Sequence, residues 1–160
     1  MDEHHGSHQE WPQDPIGSPD ADLVAETDIL EEKVLQIRRR DRRFSRNAYF
    51  FLLDALDYTM THLGRDRSTG EERHVGGREL LEGIRELAAR EFGPMAPVVF
   101  QQWGAEVTED FGEIVFNLID AGLLSRRPED SRLDFVDGYD FERAFEEEHR
   151  RRLQCISHPE

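Results

Sequence analysis

The sequence feature that most constrains the fold is an apolar stripe at helical spacing in the second half of the chain. It follows the i, i+3, i+4, i+7, i+8 pattern of one helix face and consists of Phe111, Ile114, Val115, Leu118 and Ile119. Thr108 precedes the stripe as a residue type that caps helices, and Gly122 follows it as one that ends them. The pattern predicts an amphipathic helix over residues 108–121 with its apolar face buried.

The same spacing and the same terminators predict further helices on both sides of this one. Their predicted starts lie at Thr27, Ser45, Gly76, Pro94 and Asp140, and three of them are predicted to end at Gly64, Gly93 and Gly104. The chain is therefore predicted to be mostly α-helical.

Two short stretches after Gly122 predict the β-structure of the chain. Residues 123–127 and 131–136 lie around the sequence Pro-Glu-Asp-Ser, and turn residues between short apolar runs are typical of a β-hairpin. Three helices followed by a hairpin, over residues 77–136, match the order of elements in a winged-helix domain. The predicted fold class is a mostly α, winged-helix-like helical domain with one short β-hairpin, preceded by two helices.

Residues 1–26 are predicted to form a disordered acidic tail ahead of a single helical domain over residues 27–150. Prolines, glycines and acids dominate the tail, so it lacks the apolar surface that folding requires. His4, His5 and His8 suggest metal binding, but a flexible cluster without further ligands makes a metal the disfavoured interpretation, and no cofactor is predicted. Residues 151–160 are predicted to be a frayed C-terminus.

Charge and cysteine usage constrain the compartment and the partners. The net charge is −15, and residues 1–32 hold ten acids without Lys or Arg, which works against non-specific attraction to nucleic acid. No apolar run reaches the ~20 residues that span a bilayer, and the N-terminus lacks the apolar core of a secretory signal. The single cysteine, Cys155, fits a reducing cytosol. The sequence predicts a cytoplasmic protein without membrane contact.

In a winged-helix domain, the helix predicted over residues 108–121 would be the recognition helix that enters the DNA groove. Its negative charges oppose that function. It carries no Lys or Arg, and its charged residues are Glu109, Asp110, Glu113 and Asp120. Base edges are read mainly by Arg, Lys, Asn and Gln, so we expect the shape without the DNA use. These acids, with Tyr139 of "DFVDGYDF", are predicted instead to contact a protein partner.

Several longer stretches resemble a known family. They are "AYFFLLDALDYTMTHLG", "RHVGGRELLEGIRELAAREFGPMAPVVFQQWG", "TEDFGEIVFNLIDAGLL" and "DFVDGYDFERAF". These motifs resemble a small family of conserved hypothetical proteins found largely in planctomycetes and verrucomicrobia, over roughly residues 34–145. The resemblance implies no activity and no catalytic residue. Gly76 departs from the family pattern, in which Ser or Thr is expected as a helix cap, although glycine serves there only somewhat less well.

The strongest positive cluster in the sequence lies in "RRRDRRFSR". It consists of Arg38, Arg39, Arg40, Arg42, Arg43 and Arg46. Arginine forms bidentate contacts with phosphate, so this arginine cluster is a candidate for binding RNA or an acidic protein. The favoured alternative is that these arginines flank a helix junction and pair with nearby acids.

A second candidate is an anion site at the start of the helix after "ERHVGGRE". Backbone N–H groups at a helix start attract anions, and positive side chains surround two glycines there. The candidate residues are Arg73, His74, Gly76, Gly77 and Arg78. The spacing is not that of a P-loop or a dinucleotide fingerprint, and a tight turn with a packed histidine is the simpler interpretation.

Catalytic motifs contribute little. No G-x-S-x-G, H-E-x-x-H or paired C-x-x-C occurs, and the best constellation is Asp54 and Asp57 with Thr61 and His62. An exposed polar stripe explains these four residues equally well. The sequence therefore predicts a non-catalytic cytosolic adaptor or regulator that binds a protein partner. The alternative is a nucleic-acid-associated factor that binds RNA or DNA through the arginine cluster.

Overall fold

A computed structural model of the protein describes residues 19–65 and 73–157. The described residues form α-helices connected by short loops, with 3-10 helices at Gly93–Met95 and Arg132–Phe135. The α-helices are α1 Pro19–Arg40, α2 Arg46–His62, α3 Gly77–Phe92, α4 Ala96–Trp103, α5 Thr108–Asp120 and α6 Phe141–Ser157.

Helix α2 lies at the centre of the fold. It packs against α1, α3, α4 and α5, and its contact with α3 is the most extensive in the molecule. A side chain on Gly83 of α3 would place its Cβ 1.7 Å from the Thr59 hydroxyl, so glycine lets the two helices approach closely. The buried Thr59 hydroxyl donates to the Ala55 carbonyl at 2.6 Å and is thereby satisfied within α2.

Aromatic rings fill the space between α2, α4, α5 and α6. The fully buried ring of Phe100 lies 5.0 Å from Phe111 and 5.1 Å from Phe141, measured between centroids, and 5.9 Å from Phe51. Interplanar angles of 81° and 67° to Phe111 and Phe141 give edge-to-face contacts, the geometry that aromatic pairs prefer. One aromatic side chain therefore joins four helices.

Most of the predicted helix ends are confirmed. Gly64, Gly93, Gly104 and Gly122 all follow helices and have positive φ, and Asp140 caps α6 by accepting from the Arg143 N–H at 2.9 Å. The first helix differs, because it begins at Pro19 rather than after Thr27. Proline suits the first turn of a helix, where its missing N–H leaves no bond unmade.

Two predicted caps act differently. Ser45 is the N-cap residue of α2, but its buried hydroxyl makes no hydrogen bond within the described residues. Thr108 is the first residue of α5, and its hydroxyl donates to the Phe135 carbonyl at 2.6 Å. The orphan N–H groups ahead of α5 are taken by Asp110, which accepts from Glu106 at 2.8 Å and Val107 at 3.2 Å.

The predicted β-hairpin, and with it the winged-helix-like fold class, is wrong. The described residues contain no β-strand. Residues 132–135 form a 3-10 helix that is capped by Ser131 and buries Phe135. The Phe135 ring occupies the space beside Gly112 of α5, where an added Cβ would lie 2.9 Å away. Burial of this ring packs the segment onto α5 as a 3-10 turn.

The predicted tail and C-terminus extend past the described residues. Residues 1–18, which include His4, His5 and His8, lie outside them, and so do residues 158–160. Helix α6 continues past Leu153 to Ser157, and its side chains from Arg150 onward are exposed. Within the part of the chain that the structure describes, no helix combines the length and the apolar character needed to cross a bilayer.

The position of Leu118 generates a stability prediction. Leu118 is 0% exposed in the last turn of α5, so Leu118→Ala leaves a cavity and should lower the free energy of unfolding by ~2–5 kcal/mol. Urea denaturation measures this loss, with Asp120→Ala, an exposed change on the same helix, as the control at below ~0.5 kcal/mol. A similarly small loss for Leu118→Ala would contradict its place in the core.

Candidate functional site

An apolar cleft of about 560 Å³ is bounded by α2, α3, α5 and residues 123–135. The apolar residues that line it include Leu56, Met60, Leu80, Ile119, Leu123 and Leu124. The chain turns sharply after α5, because the N–H groups of Leu123 and Leu124 both bond back to the Leu118 carbonyl, at 2.9 and 3.4 Å. This turn and the buried Phe135 fix both ends of the wall that closes the cleft.

Charged side chains also line the cleft, and two of them, Arg73 and Arg126, are exposed. The charged side chains are Arg73, His74, Arg126, Arg127, Asp130 and Asp134. A polar recess of about 510 Å³ adjoins the cleft and shares His74, Arg127 and Asp130 with it. The site therefore combines an apolar interior with a polar mouth, as ligand pockets commonly do.

The predicted anion site at the start of α3 overlaps this mouth. The Gly76 N–H already donates to the Glu79 carboxylate at 2.9 Å, and Arg65 binds the same carboxylate at 2.7 Å. The hydrogen bond from Arg65 is the main reason that the pKa of Glu79 lies below its usual value. A carboxylate of the chain itself thus occupies the position predicted for an external anion.

The other predicted members of the anion site have separate contacts. His74 lies 3.0 Å from the Asp130 carboxylate, and Arg78 donates to the Val136 carbonyl at 3.1 Å. Gly77 leaves room for Asp134, whose Cβ would lie 2.7 Å from an added Cβ. Arg73 is exposed. The structure therefore brings Arg73 and His74 to the cleft and directs Arg78 away from it.

The arginine cluster divides into two groups. Arg43 binds Asp41 at 2.6 Å and Glu113 at 3.4 Å, and Arg46 forms an ion pair with Glu31. The second group consists of Arg38, Arg39, Arg40 and Arg42, which are exposed and have no carboxylate within 4 Å among the described residues. Internal pairing thus accounts for one group only.

Asp41 connects the arginine cluster to the core. Its carboxylate accepts from Arg43 and, at 3.0 Å, from the Asn117 amide of α5, which also contacts the buried Tyr49 hydroxyl at 3.1 Å. The hydrogen bond from Arg43 is the largest cause that holds the pKa of Asp41 far below its usual range, and the bond from Asn117 adds to it. This Asp41 network links the end of α1 to α2 and α5.

The predicted protein-contact residues are mostly engaged within the chain. Glu109 accepts from the Asp137 N–H at 3.2 Å, Asp110 caps α5, and Glu113 binds Arg132 at 3.1 Å. The Tyr139 hydroxyl donates to the Leu81 carbonyl at 2.7 Å, and burial raises the pKa of Tyr139 well above its usual value. Asp120 is exposed at the end of α5.

Helix α5 has no free face for a DNA groove. It is buried against α1, α2, α3 and the 3-10 helix at Arg132–Phe135, whereas a recognition helix presents an exposed face to the bases. Asn117, the side chain on this helix best suited to read a base, is bonded to Asp41 and Tyr49. The geometry adds to the electrostatic argument against DNA reading by α5.

The predicted catalytic constellation on α2 is a polar surface. Asp54 and Asp57 are exposed, and partial burial, with a contribution from Asp57, raises the pKa of Asp54. His62 stacks on Tyr58 with centroids 4.4 Å apart. Among residues 19–65 and 73–157, no group of three or more His, Cys, Asp or Glu side chains is arranged to hold a metal ion.

Comparisons of the chain with protein-family models, with curated proteins and with solved structures find no match. The resemblance to the planctomycete and verrucomicrobial family stays a prediction from the motifs. The functional interpretation below depends on the geometry of the cleft and of the charged surfaces around it.

The Asp41 network generates a pH prediction. Because the folded-state pKa of Asp41 is lowered, its stabilisation is present above the ordinary carboxyl pKa of ~3.9 and is lost as the pH falls below that value. Asp41→Asn should lower the free energy of unfolding by ~1–3 kcal/mol at neutral pH, and the difference from the unchanged protein should shrink between pH 5 and pH 2. Urea titrations across this range, with Asp120→Asn as control, measure the difference. A difference that stays constant with pH would show that the Asp41 charge contributes nothing.

Proposed function

We propose that this protein is a non-catalytic regulator that binds a small ligand in the apolar cleft. The observation that carries the proposal is the cleft itself, whose volume of about 560 Å³ falls within the range of pockets that hold drug-sized ligands, ~300–1,000 Å³. Aliphatic side chains of α2, α3 and α5 form its interior, which favours burial of an apolar group over reaction chemistry.

The walls of the cleft belong to different parts of the chain. Leu56 and Met60 belong to α2, Leu80 to α3 and Ile119 to α5, while Leu123 and Leu124 belong to the segment after α5. A ligand that fills the cleft would contact all of them, so its binding would favour the arrangement in which these elements are docked. This coupling is the basis for a regulatory role.

The protein-binding adaptor predicted from the sequence, with its unknown protein partner, stays a prediction. Glu109, Asp110, Glu113 and Tyr139 are all bonded within the chain, so they offer less to a partner than their sequence suggested. The cytoplasmic location remains part of the proposal, and the exposed thiol of Cys155 suits a reducing compartment.

A neutral fluorescent probe tests the cleft. N-phenyl-1-naphthylamine brightens when it enters an apolar site, and we expect it to bind the full chain with a stoichiometry of one and micromolar affinity. Leu123→Trp fills the cleft and should abolish this binding, whereas Leu153→Trp, an exposed change on α6, should leave it unchanged. Thermal melts check that both variants fold. Equal binding by all three proteins, or no binding by the unchanged protein, would reject the proposal.

A second candidate function is binding of RNA or DNA through the exposed arginines of the cluster. The observation that favours it is the absence of carboxylates within 4 Å of Arg38, Arg39, Arg40 and Arg42 among the described residues. Basic side chains at a helix C-terminus also interact favourably with its dipole. Arg38, Arg39 and Arg40 lie in the last turn of α1. Their interaction with the helix dipole therefore explains why arginines occur there without any ligand.

A salt series separates these two explanations. We expect negligible affinity of the full chain for labelled RNA or duplex DNA at physiological salt, because the net charge is −15. If the arginines bind phosphate, each contact contributes ~0.7–0.9 to the slope of log affinity against log salt. Replacement of Arg38, Arg39 and Arg42 by Ala should then remove the affinity, and replacement of Arg150 and Arg151 should not. Micromolar binding with this behaviour would favour the nucleic-acid function over the cleft.

A further inference from the structure

We infer that the ligand of the cleft is an amphipathic anion, with an apolar body in the cleft and a negatively charged group held by Arg73 and Arg126 at its mouth. The inference rests on the proposed function, because it assigns a chemistry to the same site. It depends on which charged groups at the mouth already have partners within the chain and which do not.

The acids at the mouth are occupied. Asp130 accepts from the Arg127 N–H at 2.7 Å and lies 3.0 Å from His74. Asp134 accepts from the Ser131 N–H at 3.2 Å as part of the cap of the 3-10 helix at Arg132–Phe135. Both carboxylates thus have partners within the chain that fix them in place.

Two arginines at the mouth are not paired in this way. Among the described residues, neither Arg73 nor Arg126 has a carboxylate within 4 Å. Arg126 donates to the Asp130 carbonyl at 3.1 Å, which orients the guanidinium but leaves its charge without a counter-ion. Arg127, between them and the polar recess, reaches the exposed Glu129 only at 3.7 Å. Among the described residues, Arg73 and Arg126 are therefore the arginines that line the cleft without a carboxylate partner.

The ring of Phe116 places one of these cations beside the apolar interior. Phe116 is buried and lines the cleft, and the Arg126 guanidinium lies 5.2 Å from its ring centroid. Cation–π contact at this distance holds the planar group against the ring. A carboxylate, sulfonate or phosphate that is attached to an apolar body in the cleft would meet Arg126 at close range, and arginine binds such groups through paired N–H donors.

Two probes that differ by one sulfonate group test the inference. The sulfonate 8-anilinonaphthalene-1-sulfonate has the same rings as the neutral N-phenyl-1-naphthylamine. With the full chain at low salt, we expect the sulfonate to bind at least ~10-fold more tightly than the neutral probe, as charge-assisted hydrogen bonds are stronger than neutral ones. The advantage should shrink as salt is added, because exposed charges are screened.

Matched variants identify the arginines. Replacement of Arg73 and Arg126 together by Gln should remove the advantage of the sulfonate and leave the affinity for the neutral probe within about twofold. Replacement of Arg150 and Arg151 by Gln makes the same change in net charge on α6, where both lie near acids of their own helix, and should leave both affinities unchanged.

The outcomes distinguish the two levels of the proposal. Failure of the neutral probe to bind in the cleft rejects the proposed function and, with it, the inference. Equal affinities for the two probes in the unchanged protein reject the inference but not the proposed function. A higher affinity for the sulfonate that does not change with salt does the same. A loss of the advantage in the control variant as well assigns it to overall charge and rejects the role of Arg73 and Arg126. If the double variant does not fold, the single variants Arg73→Gln and Arg126→Gln test the same role, since each should reduce the advantage of the sulfonate, and an unchanged advantage in both rejects it.

Discussion

The packing of Phe100 is the contact on which the arrangement of the helices depends. Helix α4 has eight residues, which is too short for a helix to be stable alone in water. It is held because the Phe100 ring meets Phe51 of α2, Phe111 of α5 and Phe141 of α6. Gly104 then reverses the chain with φ +94°, at a point where a Cβ would lie 2.1 Å from the Arg43 carbonyl. This reversal directs α5 back across α2, so that its second half forms one wall of the cleft.

The helices could be predicted from the sequence because their determinants are local. Apolar spacing and terminating glycines lie within one element and its ends, and the glycines at 64, 93, 104 and 122 all adopt positive φ. The prediction for the segment after Gly122 was wrong because the determinants of its conformation are not local. Its conformation depends on space beside Gly112 and Gly77, which Phe135 and Asp134 occupy. Glycines inside helical patterns are the signal that was missed, since they mark a close approach of another segment.

The site was less predictable than the fold because its charges pair over long separations. Arg43 binds Glu113, 70 residues away, and Arg46 binds Glu31, 15 residues away. The six arginines form one cluster because they are close in the sequence. Only the tertiary structure shows which of them are paired with acids and which are not. The same holds for the cleft. Arg73 and Arg126 lie 53 residues apart in the sequence, and the fold brings both to the lining of one cleft.

The segment over residues 123–135 connects the stability of the fold to the proposed function. Its two ends are fixed by hydrogen bonds, at one end from the Leu123 and Leu124 N–H groups to the Leu118 carbonyl and at the other from the Thr108 hydroxyl to the Phe135 carbonyl. Between these ends it forms the wall of the cleft and carries Arg126. A bound ligand would contact this wall and the helices opposite it, so the binding free energy adds to the bonds that keep the segment docked. Arg43 and Asp41, at the end of α1, bond to Glu113 and Asn117 of the same helix α5. Helix α5 therefore contacts both the docked segment and the end of α1, so a change in how the segment packs against α5 acts on a helix that the Asp41 network also holds.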